Sequence, residues 1–190
     1  EYKRPDLILK NIEKIEDHLK NSSIQLVYSG KAHPQDQIGK DIITHINKLA
    51  LKYPQSIVFL ENYNMNVARL MTKGVDIWLN NPRKPNEASG TSGMKAAMNG
   101  VLNLSILDGW WAEACEHGIN GWQFGDGYSD VNQDQHDLDA LYQILLDEII
   151  PLYYDNKNKW IEMMQQSINT TLDKFSAKNM LNKYYEKLYT

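Results

Sequence analysis

The sequence has little cysteine, no excess of basic residues and no long apolar run. Its single cysteine, Cys115, excludes an internal disulfide framework and is typical of a reducing compartment. Lys and Arg number 20 against 24 Asp and Glu, and the resulting net charge of −4 argues against general nucleic-acid binding. No apolar run reaches membrane-spanning length, and no signal-peptide pattern is present. We therefore expect a cytoplasmic protein with no nucleic-acid and no membrane partner.

The spacings of several common ligand sites are also missing. Gly30-Lys31 and Gly39-Lys40 lack Walker spacing, and the sequence contains no GxGxxG motif, which argues against nucleotide binding by those loops. The five histidines show no metal-ligand spacing. The acidic segment 126–134 resembles a calcium loop but lacks its glycine and its closing glutamate. We predict no metal site.

What is present is an alternation of short apolar runs with amphipathic helical patterns. A hydrophobic content of 42% with 23% charged residues is typical of a globular domain. Strands separated by helices predict βαβ units and a parallel sheet. The predicted strands are 24–28, 57–60, 75–79, 102–107 and 121–125. We predict an α/β fold over 1–190, a single domain with a Rossmann-like parallel sheet, helices on both faces and a helical segment from about residue 138.

One loop combines small, hydroxyl and charged residues between a predicted strand and a predicted helix. It runs over 80–95 and leads into a helical pattern that begins at Met94. A small-residue loop before a helix N-terminus offers free N–H groups to an anion. The alternative is an ordinary N-cap by Ser89, Thr91 or Ser92, with Lys95 as a surface lysine.

The order Glu-Ala-Ser-Gly-Thr-Ser-Gly-Met-Lys at 87–95 resembles the cofactor loop of the α-glucan phosphorylases (glycogen, starch and maltodextrin phosphorylases). The blocks 30–34, 58–63 and 104–109 resemble the same family in the same order, so the resemblance covers most of residues 1 to 125. It implies that Lys95 carries pyridoxal 5'-phosphate as a Schiff base. It also implies that the cofactor phosphate lies beside the substrate phosphate and exchanges a proton with it.

The resemblance implies roles for eight residues of this chain. The implied catalytic residues are Lys95, Lys3 and Thr91; the cofactor site adds Tyr63 and Ser92; the implied glucose site is Glu87, Ser89 and Gly90. Each has a simpler interpretation from its sequence position. Glu87 is then a solvated loop acid, Tyr63 a core aromatic and Lys3 a lysine of a loose chain end.

Ser92-Gly93 and Asn64 are similar to the bacterial and archaeal branch of the family rather than to the animal enzymes. The resemblance implies the C-terminal domain of a two-domain glycosyltransferase of the GT-B type. The basic pair that precedes Tyr2-Lys3-Arg4 in the family is missing, so we expect Glu1 to lie inside a longer chain whose N-terminal half is absent here. Half a cleft should not catalyse, so we expect this chain alone to be inactive.

The whole enzyme is expected to transfer the terminal glucose of an α-1,4-glucan to inorganic phosphate, giving glucose 1-phosphate with retention. Surfaces that face a missing half are expected to favour self-association, including a homodimer. Two alternatives remain open at this point. One is a nucleotide-sugar glycosyltransferase of the glycogen or starch synthase kind, and the other is a non-catalytic module that binds glucan or phosphate.

Overall fold

The structure is a computed structural model, which describes residues 2–189. The chain forms two compact units, Glu1–Leu70 and Met71–Thr190, and each is described by itself. Residue 1, which the sequence analysis places inside a longer chain, lies outside the described residues. Within the described range, none of the helices combines the length and the apolar character needed to cross a membrane. The single domain over 1–190 stays a prediction.

The first unit contains a pair of parallel strands joined by a helix. Strand β1 (Leu26–Ser29) pairs with β2 (Ile57–Leu60), with Leu26 opposite Ile57. A parallel pair needs a long crossover, and α2 (Gln37–Lys52) supplies it. Helix α3 (Met65–Gly74) follows β2, and the boundary between the two units falls within it.

The N-terminal segment is less regular than its apolar spacing predicts. Instead of one helix up to Lys20, it forms 3₁₀ turns at Leu7–Leu9 and Ile12–Ile15, followed by α1 (Glu16–Lys20). Asn11 interrupts the helical backbone with φ −126° and ψ 55°. Residues three apart lie on the same side of a 3₁₀ segment. Ile8, Ile15 and Leu19 are buried, whereas Ile12 is half-buried.

The second unit is built on a three-stranded parallel sheet in the order β3-β4-β5. Its elements up to the last strand are β3 (Ile77–Asn80), α4 (Thr91–Met98), β4 (Leu102–Ile106), α5 (Trp111–Ala114) and β5 (Gly121–Phe124). Every residue of β4 is buried, as expected for the central strand of a parallel sheet. The carboxyl ends of β3 and β4 lie side by side, because Asn80 is paired with Ser105.

Helices follow the last strand as predicted, although they begin at Gln133 rather than near residue 138. They are α6 (Gln133–Ile144), a π-helical turn (Leu145–Ile149), α7 (Ile150–Asp155), α8 (Lys157–Lys174) and α9 (Ala177–Leu188). Helix α8 packs against α4, and its Ser167 hydroxyl donates to the Val101 carbonyl over 3.1 Å. The predicted α/β fold, with parallel sheets flanked by helices and a helical C-terminal segment, is confirmed.

Candidate functional site

The loop between β3 and α4, residues 81–90, follows the carboxyl end of β3. Its first half is fixed to α6, because the Arg83 guanidinium pairs with the Asp134 carboxylate at 2.8 Å. The Asn86 N–H donates to the Arg83 carbonyl over 2.8 Å, and the Lys84–Pro85 peptide is cis. The segment that sequence analysis singled out is therefore an ordered loop with its own internal hydrogen bond.

The second half of the 81–90 loop is fixed to the turn after β4, residues 108–110. The Glu87 N–H donates to the Asp108 carboxylate over 2.8 Å, and the Trp110 N–H donates to the Ser89 carbonyl over 2.8 Å. Gly109 has φ +54°, and a Cβ there would stand 2.5 Å from the Ser89 carbonyl oxygen. Only glycine allows the two backbones to lie this close.

Glu87 is buried, with 7% of its surface exposed. Its side chain lies beside two glycines: Cγ would be 3.1 Å from a Cβ at Gly109, and 3.7 Å from one at Gly90. The interpretation of Glu87 as a solvated loop acid is therefore wrong. A buried carboxylate needs polar partners, so this position is suited to specific hydrogen bonding.

Helix α4 begins at Thr91, three residues earlier than its sequence pattern predicts, and its N-cap is Gly90 in the left-handed region at φ +84°. No side chain caps this helix end. Glycine is the residue that takes this conformation without steric cost, which explains why the chain turns here and not at Ser89 or Ser92. The ordinary capping role considered for Ser89, Thr91 or Ser92 is therefore wrong. The Gly93 N–H donates to the Gly90 carbonyl over 3.0 Å, and the N–H groups of Thr91 and Ser92 precede it at the open end of the helix.

The two faces of α4 differ sharply. Gly93 and Ala97 face inward and are buried, and a Cβ at Gly93 would stand 2.9 Å from Nε1 of the Trp110 indole. Thr91 and Lys95 are exposed. They are four residues apart, so both side chains lie on the same side of the helix. A hydroxyl and an amine therefore share the outer face of α4, one turn from its N-terminus.

Lys95 is exposed, as the alternative interpretation of a surface lysine requires. It stands opposite the face of α4 that packs inward, so its side chain points away from the core. Among residues 71–189, the Lys95 amine forms no ion pair or hydrogen bond.

Tyr63 and Lys3 belong to the first unit. Tyr63 lies two residues before α3 and is 42% exposed, so it is not a core aromatic. Lys3 lies in a turn and is half-buried, with its ammonium 5.3 Å from the centre of the Tyr2 ring. Their roles stay predictions.

The sequence did not reveal the contacts by which two further residues, Asp108 and Trp110, support the site. Their backbone and side-chain groups hold the 81–90 loop at Glu87 and Ser89. A signal was available, because Asp-Gly directly after a buried strand marks a tight turn at the carboxyl end of a sheet.

The sequence profile of the carbohydrate phosphorylases matches residues 1–145. The chain is 43% identical to the maltodextrin phosphorylase of Thermococcus litoralis over 196 residues, which covers 100% of this chain and 24% of that protein. It is 46% identical over 199 residues to the glycogen phosphorylase of Aquifex aeolicus, covering 100% and 28%. A glycogen phosphorylase of Mycobacterium tuberculosis is 42% identical over 201 residues, covering 99% and 23%. The chain thus spans about a quarter of the length of these curated relatives, and it belongs to the carbohydrate phosphorylase family.

Proposed function

We propose that this chain is part of an α-glucan phosphorylase that uses pyridoxal 5'-phosphate. The whole enzyme, a glycosyltransferase of the GT-B type, transfers the terminal α-1,4-linked glucose of a glucan to inorganic phosphate. The products are glucose 1-phosphate and a shortened glucan. The observation that carries the proposal is the shared outer face of Thr91 and Lys95 on α4, directly after the fixed 81–90 loop.

The residues around α4 fit the cofactor. The Lys95 amine has no partner among residues 71–189 and is open to an aldehyde. The first turn of α4 has no side-chain cap and carries the positive end of the helix dipole, which suits a phosphate group. Thr91 and Ser92 add hydroxyl donors. When bound, the cofactor supplies a phosphate that exchanges a proton with the substrate phosphate.

Glu87, Ser89 and Gly90 are the proposed glucose contacts. The Glu87 carboxylate accepts hydrogen bonds from neighbouring hydroxyls of the sugar, while Ser89 and the backbone at Gly90 donate to it. The close packing of this loop on residues 108–110 supports the role, since precise hydrogen bonding requires a fixed main chain. Tyr63 is proposed to lie near the cofactor ring, and Lys3 to bind substrate phosphate.

This chain by itself is proposed to be inactive, because it spans about a quarter of its relatives. A closed cleft that excludes water is needed for the transfer. Incubation of the purified chain with maltodextrin and phosphate is expected to release no glucose 1-phosphate. A clear rate of release would contradict this part of the proposal.

The cofactor site is tested by titrating the chain with pyridoxal 5'-phosphate and recording the absorbance band of the imine. Lys95→Arg is expected to abolish a saturable band, because the guanidinium keeps the charge but forms no imine. Lys84→Arg is the matched control, since Lys84 is an exposed lysine of the adjoining loop. A saturable band that survives in Lys95→Arg, or binding of uridine diphosphate glucose without any cofactor uptake, would contradict the proposal.

A further inference from the structure

The carboxylate of Asp108 is buried, with 8% of the residue exposed, and both of its oxygens accept backbone N–H groups. One oxygen accepts from Glu87 over 2.8 Å, and the other accepts from Gly109 over 3.0 Å. Hydrogen bonds to an ionised acceptor are about twice as strong as neutral ones. Asp108 therefore links its own turn to a residue that lies 21 positions earlier in the chain.

The geometry around Asp108 restricts the Glu87 main chain from several sides. The Glu87 side chain lies against Gly109. Two residues further along the loop, the Ser89 carbonyl accepts from the Trp110 N–H. The Asp108 carboxylate accepts from the N–H of Glu87 itself. It fixes the position of the Glu87 nitrogen, and thereby the direction in which Cα–Cβ leaves the loop.

We propose that Asp108 is a positioning residue, which sets the main chain of Glu87 and so directs the Glu87 carboxylate towards the hydroxyls of the bound sugar. The inference rests on the proposed function, in which Glu87 binds glucose. Asp108 itself touches neither the sugar nor the cofactor in this account. Its effect is therefore expected on sugar affinity and not on cofactor attachment at Lys95, which lies on the outer face of α4.

The first test measures hydrogen exchange of the Glu87 amide by NMR in the wild-type chain and in two variants. Asp108→Ala removes both acceptors, and exchange is expected to accelerate by about tenfold to a hundredfold. Asp108→Asn keeps one acceptor oxygen and is expected to give an intermediate rate, and it keeps the test usable if the alanine variant folds poorly. Asp36→Asn is the control, because its carboxylate also accepts a backbone N–H, from Gly39 over 2.9 Å, but caps α2.

The control is expected to leave Glu87 exchange unchanged. Equal exchange at Glu87 in the wild-type chain and in Asp108→Ala would overturn the proposal, because the carboxylate would then not hold the loop. The proposal would also be overturned if Asp36→Asn accelerated exchange at Glu87 as much as Asp108→Ala does, because the effect would then be a general loss of stability.

The second test is a double-mutant cycle on glucose 1-phosphate affinity in cofactor-loaded protein. Asp108→Asn is expected to weaken binding about tenfold in the wild-type background and to have no effect in the Glu87→Gln background. An equal loss in both backgrounds would show that Asp108 does not act through Glu87. A Glu87→Gln variant that binds as well as wild type would instead refute the proposed role of Glu87, and amide exchange distinguishes this failure from a failure of the Asp108 contact.

Discussion

The backbone N–H of Trp110 donates to the carbonyl of Ser89 over 2.8 Å and joins the turn after β4 to the loop after β3. Trp110 is almost fully buried, and Nε1 of its indole lies 2.9 Å from where a Cβ at Gly93 would stand. The same residue thus holds the loop by its main chain and the first turn of α4 by its ring. Trp110 therefore contributes to the relative position of the loop and the helix from both sides.

Gly109→Ala is expected to displace the 81–90 loop, because the new Cβ would stand 2.5 Å from the Ser89 carbonyl oxygen at a residue with φ +54°. The strained backbone and the overlap together are expected to lower the free energy of unfolding by about 2–4 kcal/mol. Urea denaturation measures the change. Gly127→Ala separates the two effects, since Gly127 has φ +87° but nothing within 4 Å of a new Cβ. If both variants lose the same free energy of unfolding, the close approach of residue 109 to Ser89 does not contribute to the loss.

Glu16 is expected to make the stability of the protein depend on pH in the acid range. The Tyr53 hydroxyl, which donates to it over 2.5 Å, lowers the pKa of Glu16 from 4.5 to about 2, with further help from Lys20 and Lys52. The ionised form is therefore favoured in the folded state. Its contribution is fully present above pH 4.5 and is lost as the pH falls from 4.5 towards 2.

The measurement for Glu16 is the melting temperature at pH 6 and at pH 3 in the wild type and in Glu16→Gln. Between pH 6 and pH 3, the melting temperature of the variant is expected to fall by less than that of the wild type. Glu13→Gln is the control, because Glu13 is an exposed acid in the preceding 3₁₀ turn. If the melting temperature of Glu16→Gln falls as much as that of the wild type, Glu16 is excluded as the source of the pH dependence.

Cys115 is expected to be unreactive in the folded protein. Burial, with a smaller effect of the Glu116 charge, raises the pKa of its thiol to about 12, and the side chain packs beside the buried Trp110 and Trp111. Because the thiolate is the reacting species, modification by Ellman's reagent at pH 8 should be at least about a hundredfold slower than in denaturant. Rapid stoichiometric reaction of the native protein would show that the thiol is accessible and ionised.

The strands were predictable from sequence because short apolar runs bounded by turn residues are typical of buried strands. Strand β2 has the predicted bounds, and β4 ends one residue earlier than expected. The start of α4 was not predictable to the same degree. The apolar pattern begins at Met94, whereas Gly90 decides the helix start through its left-handed backbone, which leaves no hydrophobic signal.

The candidate site was recognisable from its residue order, but its supporting contacts were not. Hydrogen bonds from Glu87 and Trp110 join positions about 21 residues apart, and only the pairing of β3 with β4 brings these together. The burial of Glu87 follows from the same pairing. The exposure of Lys95 was left open by the sequence, because a helical position at the edge of a loop does not indicate which side of the helix faces the core.

The most direct test of the account is the location of the cofactor on the chain. The protein is mixed with pyridoxal 5'-phosphate, reduced with borohydride and digested, and the modified lysine is identified by mass spectrometry. We expect one main adduct at Lys95, which disappears in Lys95→Arg without a compensating adduct elsewhere. An adduct spread over exposed lysines such as Lys84, with Lys95 modified no more than they are, would contradict the assignment of α4 as the cofactor site.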